Sequence, residues 1–173
     1  MKGDENMNKK NIAYKMTLSG VLIAIAVILG TFSIPVFGGK MSPIQHFVNV
    51  VSAVVLGPYY ALLNGFLAAL LRNVLGTGSL LAFPGSMIGG FLAGILYKRS
   101  KKLELALVGE IIGTGIIGGM LAYPIASIFL GGEAALFTYV APFLISCTGG
   151  AIIAYIFLNV PAIKRLLIDR GDE

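Results

Sequence analysis

Residues 17–34 read TLSGVLIAIAVILGTFSI, and this stretch contains no charged side chain. A helix of about 20 apolar residues crosses the hydrocarbon core of a bilayer, which is about 30 Å thick. A cleavable signal peptide has a shorter apolar core that is followed by a small-residue cleavage site. Because more apolar blocks follow, the stretch predicts a retained first membrane-spanning helix.

The remainder of the chain repeats this apolar pattern. Hydrophobic residues make up 57% of the 173 residues and charged residues only 12%, against about 25% in a soluble domain. This composition excludes a soluble enzyme, a disordered chain and a nucleic-acid-binding protein of the usual kind. Clusters of Gly and Pro, and the basic run at 98–102, separate five further apolar blocks, which cover residues 43–56, 58–75, 80–97, 103–130 and 135–160.

The sequence therefore predicts an all-α integral membrane protein with six transmembrane helices. All but two of the 13 basic residues lie in three segments, namely residues 2–15, residues 98–102 and the C-terminal tail. With six spans these segments share one side of the membrane, which the positive-inside rule identifies as the cytoplasm. We expect a cytoplasmic N-terminal tail at 1–15, a transmembrane domain at 16–161 and a cytoplasmic C-terminal tail at 162–173. The expected location is a plasma membrane of prokaryotic type.

Few residues could support catalysis or metal binding. His46 is the single histidine and Cys147 the single cysteine, so a multi-histidine metal site and an internal disulfide are excluded. The sequence contains neither the phosphate loop of ATPases nor the H-E-x-x-H zinc motif. Ser86 or Cys147 could pair with His46 as a nucleophile, but no G-x-S-x-G turn accompanies them. We expect no enzyme activity, no cofactor and no metal, and an intramembrane enzyme is the less favoured alternative.

Polar and aromatic residues lie toward the predicted outer ends of helices two to six. Polar side chains are costly in lipid and usually face the protein interior or a cavity, and a few of them among apolar walls are typical of a small-molecule pocket. The candidate pocket residues are Gln45, His46, Asn49, Arg72, Asn73, Phe83, Ser86, Tyr123 and Tyr139. Taken singly, the two tyrosines could instead belong to an interfacial aromatic belt, and the arginine could extend to the interface. Glu110 lies deeper, where it could pair with a lysine of 98–102 or bond Asn64, and a role in transport is the less favoured alternative.

Small residues spaced four apart let helices approach closely within a membrane. The pairs Gly85/Gly89 and Gly109/Gly113 predict internal packing contacts of this kind. On the first helix, Gly20 and Ala24 form a similar groove. The spacing leaves open whether that groove packs inside the bundle or faces another membrane subunit.

Several segments resemble the ThiW family of thiamine-precursor transport proteins, which are substrate-binding S components of energy-coupling factor transporters. These segments are PIQHFVNV at 43–50, LGPYYA at 56–61, LRNVLGTG at 71–78, LAFPGSMIG at 81–89, GEIIGTG at 109–115 and AYP at 122–124. The resemblance extends from about Lys15 to Pro161, and the segments of helices two to four are the most specific.

The resemblance implies a function and partners. Such an S component captures hydroxyethylthiazole from outside and docks on a membrane coupling subunit that two ATPase subunits drive, and Gly20 and Ala24 would meet the coupling subunit. Aromatic rings of the candidate pocket would stack on the thiazole, and its amides and histidine would bond the ring nitrogen and hydroxyl. Arg72 would brace the outer loops or, alternatively, bind an anionic precursor.

Other ligands and roles stay open at this point. Hydroxymethylpyrimidine and thiamine are the alternative ligands, and a scaffold without a ligand is a further possibility. Thiamine is disfavoured because its positive charge calls for a carboxylate, and the only acidic residue expected on the outer side is Glu133, in a loop.

Overall fold

The computed structural model describes residues 2–36, 39–129, 131 and 135–168, and the side chains of these residues apart from 2–10 and 34–41. Glu133 therefore lies outside the described residues, as does the end of the C-terminal tail. The helices are α1 (Lys2–Leu29), α2 (Pro43–Val55), α3 (Pro58–Val74), α4 (Ala82–Ser100), α5 (Leu103–Glu110), α6 (Gly119–Phe129), α7 (Val140–Leu158) and α8 (Pro161–Leu167). A π-helical segment (Ile111–Gly118) joins α5 to α6 without a break.

The short helix α2 forms the centre of the bundle. It packs against α3, α4 and α7, and also against α1 and α5. Val48, Val50 and Val51 of α2 are buried in the apolar core, together with Ala61 of α3 and Ala154 of α7. In contrast, α1 lies at the periphery, where it packs mainly on α2 and α3.

Proline and glycine set the boundary between α2 and α3. Both helices begin with proline, whose missing N–H costs nothing at a first helical position. Gly57 stands between them with φ +92°, which a residue with a side chain rarely adopts. The chain can therefore turn within the two residues that separate the helices, and α3 packs beside α2.

The predicted glycine contacts lie in tightly packed helix pairs, as the sequence indicates. A Cβ added to Gly113 in the π-helical segment would stand 2.6 Å from the Cα of Gly89 in α4. A Cβ added to Gly109 would stand 2.7 Å from the backbone nitrogen of Ala93. Because these neighbours are backbone atoms that cannot move aside, only glycine permits this separation between α4 and the fifth predicted span.

Three described helical stretches are long and apolar enough to cross a membrane. They are Asn11–Leu29 within α1, Leu103–Phe129 from α5 through α6, and Val140–Leu158. Pro43–Val55 is apolar but shorter. The helical membrane architecture agrees with the sequence, while the count of six spans and the cytoplasmic termini stay predictions.

Local structure departs from the predicted elements in four places. The first helix begins at Lys2 and ends at Leu29 instead of covering 17–34. No proline interrupts residues 2–16, so the helix can extend into the polar segment, and Gly30, a poor helix former, follows its last residue. The strands β1 (Ile34–Val36) and β2 (Gly39–Met41) then pair in a short antiparallel sheet. The π-helical turns and the tail helix α8 were not predicted either, since apolar periodicity does not separate α from π turns and α8 contains only seven residues.

Candidate ligand-binding pocket

A cavity opens where α2 and α4 begin, at the end of α4 opposite to residues 98–102. The cavity and its mouth contain about 520 Å³ of space. Its walls come from α2, α3, α4, α7, the π-helical segment and the connection between α3 and α4. The lining residues are Ser42, Gln45, His46, Arg72, Thr77, Gly78, Ser79, Ala82, Gly85, Ser86, Thr114, Phe143 and Ser146.

Four of the predicted pocket residues line this cavity, namely Gln45, His46, Arg72 and Ser86. The helical spacing of α2 places the first two at its N-terminal turn, where the side chains are buried. Ser86 begins the second turn of α4, and its hydroxyl donates to the Ala82 carbonyl at 2.8 Å. Whether these side chains touch a ligand stays a prediction.

The other five predicted residues lie outside the cavity lining. Asn49 is one turn deeper in α2, where it donates to Glu110 at 3.0 Å. Asn73 donates to the Ala69 and Ser79 carbonyls and thus holds the connection that forms one wall. Phe83 packs on another phenyl ring, and the two remaining side chains, Tyr123 and Tyr139, are partly exposed.

Several lining residues were not among the candidates. Thr77, Gly78 and Ser79 line the cavity because Gly76, with φ +72°, turns the chain back over the end of α3. Ser42 and Ser146 meet across the cavity, where the Ser42 N–H donates to the Ser146 hydroxyl at 3.0 Å. Their sequence signal was weak, because single serines and threonines are common in membrane helices and loops.

The Arg72 guanidinium joins three elements at the rim of the cavity. Its Nη2 donates to the Gly30 carbonyl at the end of α1 at 2.7 Å. Longer contacts of 3.5 Å reach the Gln45 side chain and the Thr77 carbonyl. Although this side chain is only 5% exposed, no described carboxylate pairs with it. The two Nη atoms thus donate to neutral oxygens, one of them at a helix C-terminus, where cations are favoured, while the buried Nε has no hydrogen-bond partner among the described residues.

A buried carboxylate lies beneath the cavity. Glu110 is completely buried, and its Oε1 accepts hydrogen bonds from Asn49 Nδ2 at 3.0 Å and from the Thr114 hydroxyl at 2.9 Å. His46 Nδ1 lies 3.0 Å from the same oxygen. Our expectation for Glu110 was therefore wrong, since it bonds neither a lysine of 98–102 nor Asn64, which donates to Ser52 at 3.1 Å.

Comparison with known families identifies the group to which this chain belongs. The family model described as thiamine-precursor transporter protein (ThiW) matches residues 16–164. The chain belongs to the ThiW family. The match covers most of the chain and includes every residue that lines the cavity. No curated protein and no solved structure matches the chain.

Membership of the ThiW family makes this chain a membrane-embedded component of a thiamine-precursor transporter, with a small molecule as its substrate. The resemblance seen in the sequence is thereby confirmed. The cavity is a site of suitable character for this family, because it combines apolar walls with a few polar groups.

The small residues of α1 lie on the surface of this ThiW family member. Gly20 and Ala24 are exposed, and a Cβ added to Gly20 would meet no atom within 4 Å. The opposite face of α1 contacts the bundle through Leu22 and Ala26, which are buried. The two small residues therefore do not pack inside this chain.

Proposed function

We propose that this ThiW family member is the substrate-binding S component of an energy-coupling factor importer, and that it captures hydroxyethylthiazole from outside the cell. The cavity supports this proposal, since it lies at the end of α4 opposite to the basic residues 98–102. If those residues are cytoplasmic, the cavity opens outward. ATP hydrolysis would then belong to two separate ATPase subunits.

The cavity chemistry favours a small neutral ligand. Phe143 offers an aromatic face, and Ala82 and Gly85 add an apolar wall. Hydroxyl groups and His46 offer hydrogen bonds to a ring nitrogen and an alcohol. A thiazole with a hydroxyethyl arm presents those two polar groups on an otherwise apolar ring.

Thiamine fits this cavity less well than its neutral precursors. No described carboxylate lines the cavity, while the buried Arg72 contributes a positive charge. A cationic ligand would therefore meet repulsion without a compensating partner. Hydroxymethylpyrimidine, which is neutral, is the alternative ligand within the same transport function.

The exposed face of α1 gives the docking surface for the coupling subunit. Gly20 and Ala24 leave a shallow region on this face, and close helix approach in membranes depends on such residues. Because α1 touches few other helices of the bundle, a partner helix can reach it without rearranging the cavity.

Calorimetric titration of the detergent-purified protein tests the proposed ligand. We expect saturable binding of hydroxyethylthiazole and no binding of thiamine, with hydroxymethylpyrimidine titrated in parallel. Preference for the pyrimidine would keep the transport function and change the ligand. No binding of any of the three by folded protein would contradict the proposal.

Product formation distinguishes an intramembrane enzyme from an S component. We expect His46→Ala to weaken ligand binding, and we expect the wild type to leave hydroxyethylthiazole unmodified after prolonged incubation. A new product that disappears in His46→Ala, while ligand binding stays unchanged, would favour an enzyme.

A further inference from the structure

His46 lies between the buried carboxylate of Glu110 and the cavity. Its Nδ1 is 3.0 Å from Glu110 Oε1, and its side chain forms part of the cavity wall. The two residues come from α2 and from the end of α5, so the packing of these helices fixes the contact. A histidine whose one nitrogen is held in this way presents its other nitrogen in a defined protonation state.

The hydrogen bonds at Glu110 Oε1 indicate which histidine nitrogen carries the proton. The Asn49 amide Nδ2 can only donate to this oxygen. The Thr114 hydroxyl lies 2.9 Å from both Oε1 and the Gly85 carbonyl, and its single proton can go to either of them. Because Oε1 accepts from Asn49, the neutral imidazole that fits this geometry donates to it from Nδ1.

Two ionisable side chains lie near His46. Arg72 is the only charged side chain among the described lining residues, and Glu110 Oε1 lies 3.0 Å from His46 Nδ1. A neutral imidazole donates from one ring nitrogen and accepts at the other. Nε2 of His46 is then unprotonated and keeps its lone pair.

We infer that Nε2 of His46 is a hydrogen-bond acceptor that selects ligands carrying a donor, and that Glu110 positions it by fixing the proton on Nδ1. Nε2 has no hydrogen-bond partner in the described part of the chain, and it is not among the buried unpartnered atoms. It is therefore free to receive the hydroxyl of a bound ligand. This inference rests on the proposed function and identifies the hydroxyl as the polar group of the ligand that the pocket recognises.

Nitrogen-15 NMR can test the protonation state directly because His46 is the only histidine of the chain. Protein labelled with ¹⁵N-histidine gives the signals of one imidazole, and their shifts distinguish the two neutral tautomers from the imidazolium. We expect a protonated Nδ1 and an unprotonated Nε2 at pH 7. Hydroxyethylthiazole should shift the Nε2 signal, whereas 5-ethyl-4-methylthiazole, which lacks the hydroxyl, should leave it nearly unchanged.

Binding measurements with the same two thiazoles provide the second test. We expect wild type to bind the hydroxyl-bearing compound roughly tenfold more tightly, as the loss of one hydrogen bond implies. Glu110→Ala should reduce this preference to about twofold and give mixed tautomers. Glu110→Gln should keep both the wild-type ligand preference and the single tautomer, because the glutamine carbonyl can still accept from Nδ1.

Asn64→Ala is the matched control, since it removes another buried side-chain hydrogen bond, that to Ser52, at a distance from the cavity lining. It should retain the tenfold preference expected of wild type even where it lowers thermal stability. An imidazolium or an Nε2-protonated imidazole in wild type would overturn the inference. So would binding of hydroxyethylthiazole without a change at Nε2, which would leave the proposed function intact. No binding of either thiazole would overturn both.

Discussion

The Arg72 side chain links the rim of the cavity to three separate elements. Its shortest hydrogen bond, 2.7 Å, goes to the Gly30 carbonyl, where the backbone of α1 ends. Gly30 leaves room for this contact, because an added Cβ would stand 3.0 Å from the guanidinium carbon. A planar guanidinium can reach several oxygens at once, which an ammonium group cannot do as well. The geometry therefore indicates a bracing role.

Arg72→Lys separates bracing from attraction of an anionic ligand. We expect Arg72→Lys and Arg72→Gln to lose about 2 kcal/mol of stability each, since hydrogen bonds from a charged donor are broken in both. Thermal unfolding in detergent measures this loss. If Arg72 instead binds an anion, Arg72→Lys should retain binding of phosphorylated hydroxyethylthiazole that Arg72→Gln abolishes. That pattern would contradict a purely structural role.

The close approach of α4 and the π-helical segment depends on Gly89 and Gly113. A methyl group on Gly113 would meet the backbone of α4 and could not be absorbed by a side-chain rotation, whereas one on Gly89 would meet the side chains of Thr114 and Glu110. The π-helical turns at residues 111–118 contain several glycines. Glycine adopts unusual backbone conformations more readily than other residues. This segment also carries Thr114 to the cavity wall, directly above Glu110.

Gly113→Ala should destabilise the protein by about 1–3 kcal/mol, as expected for overpacking at a rigid contact. A lower midpoint of thermal unfolding in detergent is the measurement. Gly20→Ala is the control, because a Cβ at that position meets open space. Equal unfolding midpoints for the two variants would show that the helices can separate at little cost.

The first helix, α1, has an exposed face with Gly20 and Ala24 that does not pack inside this chain. Gly20→Leu or Ala24→Leu should prevent assembly with the coupling subunit, because a large side chain fills the shallow region where close helix contact is expected. Co-purification with the coupling and ATPase subunits measures assembly, and titration with hydroxyethylthiazole should show unchanged binding. Val21→Leu adds bulk at another exposed position of α1 and should assemble normally. Normal assembly of all variants would disprove the docking surface.

For the whole molecule, the distribution of basic residues predicts which end faces the cytoplasm. Leu80→Cys and Lys102→Cys place reactive thiols at opposite ends of α4, while the native Cys147 is buried and serves as an unreactive background. In intact cells, a membrane-impermeant maleimide should label Leu80→Cys only. Lys102→Cys should react after permeabilisation. The reverse pattern would invert the topology and turn the cavity toward the cytoplasm.

The sequence predicted more of the fold than of the candidate site. Apolar blocks and Gly and Pro punctuation located most helices to within a few residues, because these signals are local. The start of α1 and the paired strands were missed, since polar residues 2–15 carry no apolar pattern and strands of three residues are too short to show an alternating one. Among the site candidates, Gln45 and His46 share a helix turn, whereas Tyr123 and Tyr139 were grouped with them only by their predicted depth.

By itself, the sequence determined that the chain is helical, apolar and a member of the ThiW family, since composition, helix boundaries and family motifs are written in contiguous residues. The tertiary structure alone decided that His46 meets Glu110 across 64 positions and that Arg72 meets Gly30 across 42. Such pairs depend on how helices pack, which the order of residues within each helix does not specify. Closely packed glycine contacts hold the π-helical segment against α4, and α7 against α2, so that these elements surround one cavity.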